Sequence, residues 1–237
     1  MFQRIRSWLG IAPESDKADD ARAAFRAALH RYPAHAPPHP GHARDLTPEQ
    51  AQANLEWFLA ALPERLQVLD RLLTEFGVPT RPAADTPEGR QAWVGHLIDW
   101  TRRCWPAQPY RPEHLDKDVW LKVARVGDDA IFSVTLDLAT LMGEVVRAAC
   151  PAWRWGLDMA SANMGSQPMW TARRVVMTTA PLGSKGIRVI GDWEAAVVNR
   201  YQRPSAFDYG VSLSHDVWWT GLEDDCSGRV IQFYEQA

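Results

Sequence analysis

The chain has 237 residues, 46 % hydrophobic and 23 % charged, enough apolar material for one large core or for one domain with an appended arm. A formal net charge of −3 argues against a strongly basic nucleic-acid footprint, and three widely spaced cysteines without a CxxC pair argue against a zinc ribbon, a redox dithiol or a disulfide framework. The same cysteine usage fits a reducing cytoplasm best; no apolar run approaches the ~20 residues that a transmembrane helix needs, and none resembles a signal peptide.

In chain order, Phe2, Ile5, Trp8 and Leu9 fall at helical spacing and predict a short helix docking on the body, with a membrane-surface anchor as the alternative. The alanine-rich stretch 18–29 follows as a second helix, with Phe25 and Leu29 as its sizeable apolar residues. "HRYPAHAPPHPGH" (30–42) then sets four histidines, His30, His35, His39 and His42, among four prolines. Proline forbids a continuing helix and favours an extended chain, on which the histidines should be solvated. A metal would have to order this segment before any ligation energy was gained. The expectation is a linker without a metal site, which makes residues 1–44 an arm and residues 45–237 the domain proper.

Thr47-Pro48-Glu49-Gln50 carries a capping box with proline at the first helical position. Leu55, Phe58, Leu59, Leu62, Leu66, Leu69, Leu72, Leu73 and Phe76 recur every three or four residues behind it. Pro63 either kinks this helix or starts another, and Gly77 before Pro79 ends it. Asp85-Thr86-Pro87-Glu88 repeats the start signal, and Trp93, Val94, Leu97, Ile98, Trp100 and Cys104 form the next buried stripe. Residues 47–105 are therefore expected to be helical.

The mixed part, 117–237, opens with an alternating stretch at 119–126 that reads as a strand, with 127–130 as its turn, although a helix fits nearly as well. Leu138, Leu141, Met142, Val145, Val146 and Ala149 predict a helix capped by Asp137 or Thr135 and stopped by Pro151. Stretches 153–159, 168–180, 212–219 and 229–235 are rich in Val, Ile, Trp and Phe and read as strands. The stretch 192–202 reads as a helix capped by Asp192. The fold class is α+β: a helical N-terminal half, then a small, mostly antiparallel sheet with two helices.

Chemistry is sparse. Ser214-His215-Asp216 supplies the residue types of nucleophilic hydrolysis, but neighbours on a strand face opposite ways and no GxSxG elbow is present. Glu223-Asp224-Asp225 lacks calcium-loop spacing and reads as a solvated turn. Gly183-Ser184-Lys185-Gly186 lacks phosphate-loop spacing and reads as a hairpin turn, so no cofactor is expected. Twelve tryptophans are the unusual feature. On a strand one of Trp218 and Trp219 must face outward, as an aromatic anchor for a partner.

The helix stretch with Asp137, Gly143 and Glu144, followed by Pro151, Trp153, Trp155, Gln167 and Pro168, resembles a pattern in small bacterial proteins without an assigned activity. In these a helix bearing Gly-Glu-Val or Gly-Glu-Ile leads into a Trp-headed strand and then a Pro-containing one, and some are encoded in toxin–immunity neighbourhoods. The resemblance covers about residues 130–180 and implies a bacterial cytoplasmic α+β module. Gly143, inside a helix, implies close approach of a neighbouring backbone, and Glu144 is placed to pair with Arg147 or Arg154. The resulting expectation is a non-enzymatic protein-binding module, of immunity-inhibitor type, with Trp218, Trp219, Trp155 and Glu144 as binding candidates. The alternative is a hydrolase using Ser214, His215 and a carboxylate such as Asp216.

Overall fold

The computed structural model describes residues 14–40, 45–105, 124–149, 151, 154–159, 172–179 and 188–190. Helix α1 spans Glu14–Leu29, α2 Pro48–Glu75, α3 Pro87–Cys104 and α4 Ile131–Ala149, the last preceded by a 3-10 turn at Gly127–Ala130. Strands β1 (Arg154–Leu157), β2 (Val175–Thr179) and β3 (Arg188–Ile190) form an antiparallel sheet in the order β1-β2-β3. The chain is thus α+β. No helix among the described residues is long and apolar enough to cross a membrane.

Helix α2 starts as its sequence dictates. The Thr47 side chain accepts from the Gln50 N–H, and the Gln50 side chain accepts from the Thr47 N–H at 2.8 Å, closing the capping box. It ends in a Schellman turn: the Val78 N–H reaches the Leu73 carbonyl at 2.8 Å and the Gly77 N–H reaches that of Thr74 at 3.0 Å. Gly77 has a φ of +65°, which only glycine adopts without strain. Pro63 lies inside this one helix and is exposed, so neither a break nor a second start occurs. Burial of Phe58 and Arg65 on either side, continued by Val68, Leu69, Leu72 and Leu73, holds the helix through the missing N–H. Of the expected stripe, Leu59 is exposed and Leu55, Leu62 and Leu66 are only half-buried.

Helix α3 begins at Thr86, whose side chain accepts from the Gly89 N–H at 3.1 Å. Trp93, Val94, Leu97, Trp100 and Cys104 are buried from it, and the Trp93 indole N–H donates to the Pro79 carbonyl at 2.8 Å. Burial pushes the Cys104 thiol up, in keeping with a small apolar core residue. The sheet packs on α2, where Trp155 of β1 meets the Phe58 ring edge-on at 4.9 Å.

Three expectations need correction. First, the described part of residues 1–44 is not a detached arm. Phe25 of α1 is fully buried, edge-on to Phe76 and Trp100 at 5.5 and 5.3 Å and stacked on Trp105 at 5.9 Å. Leu29 and Tyr32 join the same core, and His35 is buried rather than solvated. Second, 124–126 is irregular and 127–130 is a 3-10 turn feeding directly into α4; residues 119–123 lie outside the described residues. Third, α4 therefore starts at Ile131, which leaves Thr135 and Asp137 inside it instead of capping it. From Ile131 to Thr140 every residue except Leu136 is buried, and Gly143 is buried too. Residues 1–13, and the stretches 192–202, 212–219 and 229–235 for which a helix and strands are expected, lie outside the described residues.

Helix α1 is also fastened at its exposed end. Arg26 donates two hydrogen bonds to Asp128 of the 3-10 turn, the one from Nε at 2.7 Å, and the His30 ring lies 3.1 Å from the same carboxylate. The Arg26 hydrogen bond is the main reason the Asp128 carboxyl is held at about 2, against the opposing effect of partial burial.

Two measurements test this account. Phe25→Ala should destabilise the protein by about 3–5 kcal/mol in denaturant unfolding, a core-sized loss that a peripheral arm would not show. Asp128 is depressed from the ordinary 3.8, so its stabilising effect is complete above that value and is lost as the pH falls through about 2. Asp128→Asn should therefore lower the thermal midpoint at neutral pH, and the gap to the unaltered protein should close as the pH drops from about 4 to about 2.

Candidate functional site

Two of the four binding candidates meet. The Trp155 indole N–H donates to Glu144 Oε1 at 2.7 Å, and Arg147, one turn further along α4, donates to Oε2 at 2.7 Å. Each carboxylate oxygen thus holds one donor, and Glu144 orients the Trp155 ring against Phe58. Arg147, not Arg154, is the charged partner. Trp218 and Trp219, and the hydrolase candidates Ser214, His215 and Asp216, lie outside the described residues.

Glu144 also stands on the wall of a cleft of about 670 Å³ between α2, α4 and the connection from α2 to α3. Leu66, Leu73, Leu141 and Val145 supply apolar lining, Pro63 and Pro82 rigid edges, and Asp70, Arg81 and Asp85 charge. Asp85 is bound by Arg90 at 2.6 Å. The cleft offers apolar area with charges of both signs, and its half-buried carboxylate is already tied.

A second polar constellation sits where sequence reasoning expected a solvated linker and a helix cap. Asp137, wholly buried, accepts from Arg65 Nε at 3.0 Å and Nη2 at 2.5 Å, and from the Tyr32 hydroxyl at 2.6 Å. The His35 ring lies 3.4 Å from its other oxygen and edge-on to Trp57 at 4.9 Å. The Arg65 guanidinium stands 5.4 Å from the Tyr32 ring centroid. Burial pushes the Tyr32 phenol well above its ordinary value, and the Asp137 charge and hydrogen bond add to this. For Arg65 burial works against the charged form, but the hydrogen bond and charge of Asp137 outweigh it and hold the guanidinium above its ordinary value.

Two signals for this cluster lie in the sequence. Position 65 shares the α2 face of Phe58, Leu69 and Leu72, so an arginine there points into the core and demands a buried acceptor. On α4, Ser133, Asp137, Thr140 and Glu144 follow helical spacing and form one polar stripe on a mostly apolar helix, with Thr135 and Arg147 off it. Among the other expected histidines, His30 binds Asp128, His39 is held through its backbone, and His42 lies outside the described residues.

Chemically the cluster is a clasp. The four acceptor directions of Asp137 are taken, and each donor comes from an element that the others must position. Asp137→Asn should cost about 3–5 kcal/mol, because Arg65 remains buried without its counter-charge. The double variant Arg65→Met, Asp137→Leu should recover much of that loss in the same denaturant titration. Equal losses in the single and double variants would show that the two residues do not act as a pair.

Compared with known proteins, the chain matches no protein-family model, no curated protein and no solved structure.

Proposed function

We propose that the chain is a non-enzymatic bacterial module that binds another protein in the cytoplasm, with an immunity-type inhibitor as the specific form favoured by the sequence resemblance. The observation that carries this reading is the cleft between α2 and α4. Its lining sets Leu66, Leu73, Leu141 and Val145 among polar and charged groups, its edges are stiffened by Pro63 and Pro82, and Glu144, its half-buried carboxylate, is committed to Trp155 and Arg147. Such a surface gains affinity by covering apolar area and sets orientation through rim charges such as Asp70 and Arg81. A reactive centre needs an unsatisfied acid, base or nucleophile converging on a pocket, and Glu144 does not supply one. Through Glu144 this wall is linked to Trp155, which packs against Phe58.

The proteins encoded beside this chain are the ligands to test, by calorimetry with purified components. Leu66→Arg places a charge on the half-buried lining and should weaken binding at least about tenfold, equivalent to about 1.4 kcal/mol. It should leave the thermal midpoint nearly unchanged, since Leu66 is only half-buried. Loss of binding in Asp19→Ala, an exposed residue of α1, with full binding in Leu66→Arg would place the interface elsewhere.

A further inference from the structure

Residues 33–40, without helix or strand and with bends at 38 and 39, span the α2 surface from Arg65 to Asn54, and among the described residues no backbone–backbone hydrogen bond holds them. Side chains of the body hold this strap instead. Arg65 Nη1 donates to the carbonyls of Pro33 and Ala34 at 2.9 and 3.4 Å. The His35 N–H donates to Ser133 Oγ at 2.9 Å, and Arg125 donates to the His35 carbonyl at 3.2 Å. Asn54 grips both polar groups of one residue: its Oδ1 accepts from the His39 N–H at 2.9 Å and its Nδ2 donates to the His39 carbonyl at 2.7 Å.

Six hydrogen bonds to main-chain atoms, from α2, α4 and the segment before the 3-10 turn, read the strap chiefly through its backbone. Two side chains add anchors: Tyr32 donates to Asp137, and the buried His35 ring lies against the same carboxylate and the Trp57 ring. This is the chemistry by which grooves capture extended peptides: main-chain hydrogen bonds give affinity and an aromatic anchor gives register. The occupant suits it, because proline pre-sets an extended chain and lowers the entropy cost of docking. We propose that Asn54, Arg65, Arg125, Ser133 and Asp137 form an extended-peptide recognition groove, held closed in cis by residues 32–39, that accepts in trans a proline-rich peptide bearing a tyrosine. The cis segment excludes a competitor by its high effective concentration. This groove is separate from the cleft at Leu66 and Leu141, and the proposal does not depend on that cleft's role.

The test uses the full chain and a fluorescein-labelled synthetic peptide of sequence HRYPAHAPPHP. In the double variant Tyr32→Phe, His39→Pro the strap loses its hydroxyl anchor and one N–H donor while every groove residue stays in place. Fluorescence anisotropy should show saturable peptide binding to this variant, at least tenfold tighter than to the unaltered chain, and adding Asn54→Ala should abolish it. A scrambled peptide of the same composition should not bind. Absence of saturable binding in a strap variant that keeps the native circular dichroism and a cooperative melt overturns the proposal. So does binding that is equal in the unaltered chain or indifferent to Asn54→Ala. If the double variant does not fold, His39→Pro alone removes a single bond and is judged by the same criteria.

Discussion

The fold depends on a buried charge pair. Asp137 is fully enclosed and the Arg65 side chain is nearly so, and either charge alone would cost several kcal/mol in that environment. The pair is sustained because its polar atoms meet partners from separate parts of the chain: Arg65 from α2, Asp137 from α4, Tyr32 and His35 from the strap. Arginine suits the position where lysine would not, since its planar fork spans both carboxylate oxygens while Nη1 still reaches the Pro33 and Ala34 carbonyls. These bonds are made together only when α2, α4 and the strap stand in one relative arrangement. The pair therefore contributes more to uniqueness of packing than to net stability, which apolar side chains of similar volume could match.

Around this clasp the apolar core closes in a second way. Phe25 enters a group formed by Phe76, Trp100 and Trp105, so α1 covers the junction where α2 ends and α3 terminates. The aromatic contacts fix α1 at one end and the clasp fixes the strap that follows it. An extended segment between two such attachments needs little internal structure, and its prolines lower the entropy lost on ordering.

What was legible in the sequence was what local chemistry determines. The Thr47–Gln50 capping box, the Thr86 cap, the Gly77 stop and the apolar stripe of α3 each formed where the residues required. Pairing of Glu144 with Arg147 follows from their spacing of three on a helix. The strap was misread because composition reports average solvation. A polar, proline-rich stretch has no periodic apolar face, and nothing local reveals that side chains 15 to 98 positions away satisfy its backbone. Asp137 was misread for a related reason: aspartate ahead of an apolar run is the ordinary cap signal, and the 3-10 turn that starts α4 earlier gives a weak pattern. The Arg65 signal was present but was submerged in a strong leucine stripe.

Helix α4 shows how the polar residues do what the apolar ones cannot. Buried almost all round over its first ten residues, it has no single apolar face to select its rotation about its own axis. A turn of about 100°, one residue's worth, would exchange one aliphatic contact for another at modest cost. The stripe Ser133, Asp137, Thr140, Glu144 removes that freedom. Ser133 is bound to the strap, Asp137 to Arg65 and Tyr32, and Glu144 to Trp155 and Arg147, while Thr140 satisfies itself on the Leu136 carbonyl. Any other rotation would leave two carboxylates facing apolar neighbours without donors, a penalty far larger than an aliphatic mismatch. The stripe thus sets the rotation that turns Leu141 and Val145 toward the cleft and Ser133 and Asp137 toward the strap. Both proposed binding surfaces are consequences of how one helix disposes of its few polar side chains.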